Sequence, residues 1–152
     1  SLDQRGQDAG SQLMHISLCG AVGARMMRYD PLVGPEPDEW RALSELEQLD
    51  AVLAFHRRAG IKLPNDLLHA TIHSVVESQV AAGSELPVAA TLQRLIAEGL
   101  NRHDAVHAVG MVLAGHIHDL LQGGPPPAGD PNAPYYAELR QLTAQRWRDQ
   151  AE

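Results

Sequence analysis

The sequence predicts an all-α protein, a single-domain helical bundle of about five to six helices. Apolar residues recur at intervals of three and four in several segments, and no segment alternates apolar and polar residues as a half-buried strand would. The chain has only one Phe, two Trp and three Tyr, so that Leu, Val, Ile and Ala must fill its core. This composition suits packed helices.

The helix boundaries follow from capping residues and helix breakers. Asp38, Asn65 and Asn101 precede apolar-periodic segments and are typical N-caps, whereas Gly83 and Gly99 follow such segments and end them. The predicted helices cover residues 11–28, 38–58, 66–82, 87–98, 101–121 and 135–150.

The remaining segments define the predicted domain organisation. Residues 1–10 are polar and are expected to be disordered or tag-derived, whereas 11–152 has the size of one helical domain. Segments 29–37 and 123–134 are rich in Pro and Gly, which predicts flexible linkers. The helix 11–28 contains two glycines and is expected to pack weakly, which leaves it available for a homo-oligomer contact.

Charge and cysteine content limit the classes of binding partner and the cellular compartment that are expected. Twelve Lys and Arg against nineteen Asp and Glu give a net charge of −7 without a basic stripe, which argues against nucleic acid. The single Cys19 excludes an intrachain disulfide and favours the cytoplasm. The apolar run 13–27 is interrupted by His15 and Arg25 and is shorter than a membrane span, so neither a transmembrane helix nor a signal peptide is expected.

Two histidine pairs at helical spacing carry the main functional prediction. His69 and His73, with Glu77 one turn later, lie on one predicted helix, and His103 and His107 lie on another. Residues four apart share a helix face, so each pair presents two imidazoles that a divalent metal can bridge. The absence of sulfur ligands favours zinc or iron, in a mono- or dinuclear site.

The apolar stripes predict where these side chains point. On the helix 66–82, Leu68, Ile72, Val75, Val76 and Val80 form one arc that includes His69. His73 lies at its edge and Glu77 just beyond. On the helix 101–121 the core stripe is predicted to be Val106, Val109, Leu113, Ile117 and Leu120, with the His103 and His107 pair on its flank. If the two helices are neighbours, the four imidazoles converge, with Glu77 as a carboxylate ligand or catalytic base.

Other residues and other interpretations remain open at this point. His56 lies near a helix C-terminus, where the helix dipole accounts for it, but it is also a possible further ligand. Glu47 lies nine residues earlier, on the opposite face of a straight helix. The alternatives are a coordinatively closed metal that staples two helices and hydrogen bonds of the histidines inside the core. A further alternative is a helical partner-binding module that uses the helix 11–28.

Two resemblances add to this interpretation. The order His56, then His73-x3-Glu77, then His103-x3-His107 resembles the first three ligand elements of hemerythrin-like di-iron domains. Those domains end with a His and an Asp on a fourth helix, and the last predicted helix here has no His.

The second resemblance covers most of the chain. The segments NDLLHATIHSVVESQV, LPVAATLQRLIAEGLNRHDAVHAVGMVLA and YYAELRQL resemble an uncharacterised bacterial family of small His-rich all-α domains of unknown function. The motifs N-x-x-L-H-x3-H and R-H-D/E-A-x-H imply that the four paired histidines are the shared residues, with Glu47 and His56 matched more loosely. The sequence thus predicts a metal-binding helical protein of unknown reaction. Its site is either catalytic, in a metal-dependent hydrolase or an iron-dependent redox protein with an unknown small-molecule substrate, or part of a non-catalytic structural or partner-binding module.

Overall fold

The computed structural model describes residues 27–123 and 128–151. Within these ranges it contains seven α-helices, one short 3-10 helix and no strand, which confirms the all-α class. Five of the predicted helices lie in these ranges, and two of them are each divided into two. The helices are α1 (Pro37–Ala42), α2 (Glu45–Ala59), α3 (Asp66–Ala81), α4 (Val88–Ala97), α5 (Arg102–Gln122), α6 (Ala133–Gln141) and α7 (Ala144–Ala151), with the 3-10 helix Gly83–Glu85 between α3 and α4.

The predicted helix 38–58 is divided into α1 and α2. Leu43 is extended, and Ser44 starts α2 with a capping box in which its Oγ accepts a hydrogen bond from the Glu47 backbone N–H at 3.1 Å. The Glu47 carboxylate in turn accepts the backbone N–H of Ser44 at 3.4 Å. The apolar residues keep their helical spacing across this break, so the spacing alone does not indicate where α1 ends and α2 begins.

The predicted last helix is divided in the same way. Leu142 is extended, with ψ 132°, and ends α6. Thr143 then caps α7, because its Oγ1 accepts a hydrogen bond from the Arg146 backbone N–H at 3.0 Å. Thr143 has no helix-breaking side chain, so the sequence pattern predicts one continuous helix.

Of the predicted N-terminal segments, the structure describes only residues from Met27 onward. Residues 1–10 and most of the predicted helix 11–28 lie outside the described residues, and Met27 and Arg28 are not helical. Segment 29–37 is not a free linker at its start, since Tyr29 is 1% exposed and Pro31 is buried. Of segment 123–134, residues 124–127 lie outside the described residues, and α6 begins at Ala133.

Helix α3 lies at the centre of the protein and contributes to two hydrophobic clusters. Its Val76 joins the larger cluster, which is built around residues such as Leu92 and Leu139. Its Ala70 joins the smaller one with Tyr29 and Trp40. Since α3 packs against both α2 and α5, histidines on these three helices can meet at one place.

Some residues of the predicted core stripes are exposed. Leu68 on α3 is 56% exposed, and Ile117 and Leu120 near the end of α5 are 37% and 45% exposed. Helical periodicity gives the face of a helix but not how far along that face a neighbouring helix extends. No helix among the described residues has the length and apolar character needed to cross a membrane.

Candidate metal centre

Five imidazoles gather where α2, α3 and α5 meet. His73 is at the centre of this histidine cluster, which also contains His56, His69, His103 and His107. The ring centroid of His73 lies 5.9 Å from that of His56 and 5.6 Å from that of His69. It lies 5.3 Å from that of His103 and 5.2 Å from that of His107. The sequence-predicted convergence of the two pairs is therefore present in the structure, with His56 as a fifth ring.

Local sequence features bring the helices close enough for this. Asn65 and Asn101 cap α3 and α5 by accepting backbone N–H groups of the first turn, which sets where each histidine pair starts. Gly110 lies at the contact between these helices, where an added Cβ would be 3.1 Å from Ile72 Cγ2. A larger residue at 110 would therefore push against α3.

Three of the five histidines have the spacing of a metal site. His69, His73 and His107 each offer one ring nitrogen, and these nitrogens all lie within 4.8 Å of one another. Three ligands on a tetrahedral ion at 2.0–2.1 Å would be separated by about 3.3 Å. Modest side-chain rotations would close that difference, so this histidine trio fits a transition-metal ion.

The cluster contains buried nitrogens with no hydrogen-bond partner. They are Nε2 of His73, His103 and His107, and both ring nitrogens of His56. Leaving a buried polar group unpaired costs about 1–3 kcal/mol, and such groups are rare in folded proteins. Several together at one place are best explained by a shared partner, and a metal ion is a partner that imidazole nitrogens bind.

Burial keeps these rings neutral. Desolvation, reinforced by the neighbouring histidines, lowers the pKa of His73 to about 2 and that of His107 to about 4. Desolvation also lowers the pKa of His56, His69 and His103. At neutral pH each ring therefore has a free lone pair on one nitrogen, which is the protonation state that a metal requires.

Glu77 is not with the imidazoles but in an ion pair beside them. Its Oε1 accepts Nη2–H of Arg102 at 2.7 Å, and its Oε2 accepts Nη1–H of Arg102 at 2.9 Å and the hydroxyl of Tyr29. The Glu77 side chain is fully buried and that of Arg102 is 13% exposed. The carboxylate is thus occupied on both oxygens, which differs from the predicted role as metal ligand or base.

Tyr29 connects this ion pair to the centre of the cluster. Its Oη lies 2.9 Å from Nδ1 of His73. An ionised carboxylate only accepts hydrogen bonds, so the Tyr29 hydroxyl donates to Glu77, and the same oxygen must accept from His73. Burial and the Glu77 charge raise the pKa of Tyr29, which keeps the phenol protonated.

This chain of hydrogen bonds fixes the tautomer of His73. Its proton is on Nδ1, and the lone pair is on Nε2, the atom that has no partner inside the protein. Histidine ligands in metal sites are commonly held in this way, with the second ring nitrogen donating to a carboxylate or another acceptor. Here Glu77 acts on His73 through Tyr29.

The histidine trio also lines an open cleft. The cleft has a volume of about 530 Å³, and its walls are largely apolar. It is lined by residues of α3, α5 and α7 and of the segment before α3. Atoms of His69, His73 and His107 therefore line a cleft that is open to solvent, while Nε2 of His73 and Nε2 of His107 are themselves buried.

The structure thus brings together the predicted His56, His69, His73, His103 and His107. It places Glu47 elsewhere, in the exposed cap of α2. Sequence reasoning missed Tyr29, which comes from a Pro-rich segment with no helical pattern. It also missed the role of Arg102, although that residue directly precedes His103 in the R-H-D-A-x-H motif.

Comparison with known proteins adds no relative: no protein-family profile, no curated protein and no solved structure matches this chain. The likeness to the His-rich bacterial family and to hemerythrin-like domains stays a prediction.

Proposed function

We propose that this protein binds a divalent transition metal, zinc or iron, at His69, His73 and His107, and that the site is catalytic. His56 and His103 are the ligands available for a second ion beside it. The observation that carries the proposal is the group of buried, unpartnered nitrogens gathered around His73.

The arrangement of charges supports the same proposal. The metal-binding group is made of neutral imidazoles, whereas the nearby carboxylate of Glu77 is compensated by Arg102. A cluster held together only by hydrogen bonds would be expected to pair its ring nitrogens with one another or with the backbone. The unpartnered Nε2 atoms of His73, His103 and His107 argue against that alternative.

The open cleft favours a catalytic site over a closed staple. Structural metal sites are saturated by protein ligands, whereas catalytic sites use about three protein ligands and leave a position open. A metal held by the trio would supply Lewis acidity for hydrolysis, or redox chemistry if it is iron. The protein contributes the orientation of His73 through Tyr29 and an apolar wall beside the trio.

The closed staple remains the second candidate because His56 and His103 are near enough to fill further positions. The His56 ring centroid is 4.9 Å from that of His69, and the His103 centroid is 4.3 Å from that of His107. The two candidates differ in whether a small anion can bind. With the cobalt-substituted protein, azide should change the visible absorption spectrum if a coordination position is open, and should leave it unchanged if the site is closed.

The proposal is tested by the metal content of the protein purified without an affinity tag or added metal. We expect about one zinc or iron per chain, or about two if His56 and His103 hold a second ion. His107→Ala should lose most of this metal. His116→Ala is the matched control, since His116 lies on the same helix but outside the histidine cluster. Its Nε2 lies 3.3 Å from Oδ1 of Asn132. Equal metal content in both variants, or none in the unmodified protein after incubation with zinc and with iron, would overturn the proposal.

A further inference from the structure

We propose that the cleft beside the trio binds an amphipathic small molecule with an apolar body and an anionic, metal-binding head such as a carboxylate. This inference depends on the proposed metal site and goes further by naming the class of ligand. It follows from the walls of the cleft and from the charge at its floor.

The walls of the cleft are apolar and exposed. Leu68 on α3 and Met111 on α5 both line the cleft, and they are 56% and 51% exposed. Ile72 and Val106 line it further along the same helices. Large apolar side chains exposed together in a concave site mark a ligand-binding surface, and a volume of about 530 Å³ is within the usual range for small molecules.

The charge at the floor of the cleft selects the head group. Among the described residues that line the cleft none is acidic, and three neutral imidazoles do not offset the positive charge of a divalent ion. The Asp66 carboxylate acts on His69 but does not line the cleft. The Glu77 carboxylate does not compensate this charge, because Arg102 neutralises it. An anionic oxygen ligand from the bound molecule would complement the ion, and the apolar body would then lie against Leu68 and Met111.

The test uses the full chain loaded with zinc, after zinc retention has been measured. Acetate, butanoate, hexanoate, octanoate and 1-octanol are titrated into it by calorimetry. We expect the affinity to rise about fourfold for each methylene that enters the cleft, and to be about 100-fold or more higher for octanoate than for acetate. Removal of the zinc with a chelator should abolish most octanoate binding, and 1-octanol should bind much more weakly than octanoate.

A pair of neighbouring variants tests the location. Leu68→Ser removes an exposed cleft residue and should weaken octanoate binding about fivefold with unchanged zinc content. Leu67→Ser is the matched control, because Leu67 is 59% exposed and is the preceding residue on the same helix but does not line the cleft. It should leave octanoate binding unchanged.

The outcomes separate this inference from the metal proposal. If zinc is retained but acetate and octanoate bind equally, or 1-octanol binds as tightly as octanoate, the ligand class is wrong and the metal site stands. Equal losses in both serine variants would also overturn the assignment to this cleft. If the protein retains iron but no zinc, the same titrations are made on the iron-loaded protein. If it retains neither metal, the metal site and the ligand class fail together.

Discussion

Replacing Tyr29 with Phe removes one oxygen atom from the connection between Glu77 and His73. The ring contacts should survive, since the Tyr29 ring packs against Trp40 and Phe55 at centroid distances of 5.7 and 6.1 Å. Glu77 keeps both hydrogen bonds from Arg102. The substitution therefore isolates the hydrogen bonds of the hydroxyl.

Two effects are expected from the loss of that oxygen. One hydrogen bond to a carboxylate and one from a neutral imidazole disappear, which should lower the unfolding free energy of the metal-free protein by about 2–4 kcal/mol. The Nδ1–H of His73 also loses its acceptor, so that the ring is no longer held with Nε2 free. Loss of such a partner typically weakens metal affinity by about 10–100-fold.

Zinc affinity can be measured by competition with a chromophoric chelator, and stability by urea unfolding in the presence of a strong chelator. Tyr135→Phe is the matched control, since Tyr135 is also 1% exposed and its hydroxyl donates to Gln79 at 2.7 Å, outside the histidine cluster. It should cost about 1 kcal/mol of stability and leave zinc affinity unchanged. Unchanged zinc affinity in Tyr29→Phe would refute the assignment of the His73 tautomer.

Three other perturbations follow from the same structure. Arg102→Met leaves the buried Glu77 carboxylate without its cation and should lower the unfolding free energy by about 3–5 kcal/mol in urea titrations; a change below 1 kcal/mol would contradict the ion pair. In the metal-free protein the His73 ring stays neutral in the folded state, whereas in the unfolded chain it binds a proton below about pH 6.5. Burial lowers the pKa of His73 to about 2, so the free energy of unfolding should fall by about 2 kcal/mol from this residue alone between pH 7 and pH 5. The same urea titrations measure it, and an equal free energy of unfolding at the two pH values would count against the neutral cluster. Gly110→Leu should press on Ile72, destabilise the protein by about 1–3 kcal/mol and weaken zinc binding. Gly115→Leu has open space around it and should do neither. If thermal unfolding and zinc competition give the same result for both variants, the close approach at Gly110 is contradicted.

The four paired histidines were predictable because residues four apart lie on the same face of a helix. Once a segment is helical, His69 and His73 must share a face, as must His103 and His107. Capping residues such as Asn65 and Asn101 identified the helices themselves, and both act as N-caps in the structure. That much of the site follows from local rules.

The connection through Tyr29 was not predictable in the same way. Tyr29 lies 44 residues before His73 in the chain, in a segment whose Pro and Gly content predicted a flexible linker. Its burial depends on how α1, α2 and α3 pack, which no local pattern encodes. Glu77 was predicted to be a carboxylate ligand or base beside the histidines, but its partner Arg102 is 25 residues away, so no local pattern indicated the ion pair.

The break between α1 and α2 was missed for a different reason. Leucine spacing across Leu43, Leu46 and Leu49 satisfies a helical period, although Leu46 is 67% exposed. The capping box from Ser44 to Glu47 overrode this periodicity, because it satisfies the free backbone N–H groups at the start of α2. Competing local features of this kind can be ranked only when the tertiary contacts are known.

The central claim is that imidazole nitrogens of the trio, Nε2 of His73 among them, bind a transition metal. X-ray absorption spectroscopy at the metal edge of the zinc- or iron-loaded protein tests it most directly, because the outer-shell scattering counts imidazole rings. We expect about three imidazole nitrogens at 2.0–2.1 Å for zinc, with His73→Gln reducing that number by one. A spectrum with one imidazole or none, or one that His73→Gln does not change, would contradict the account.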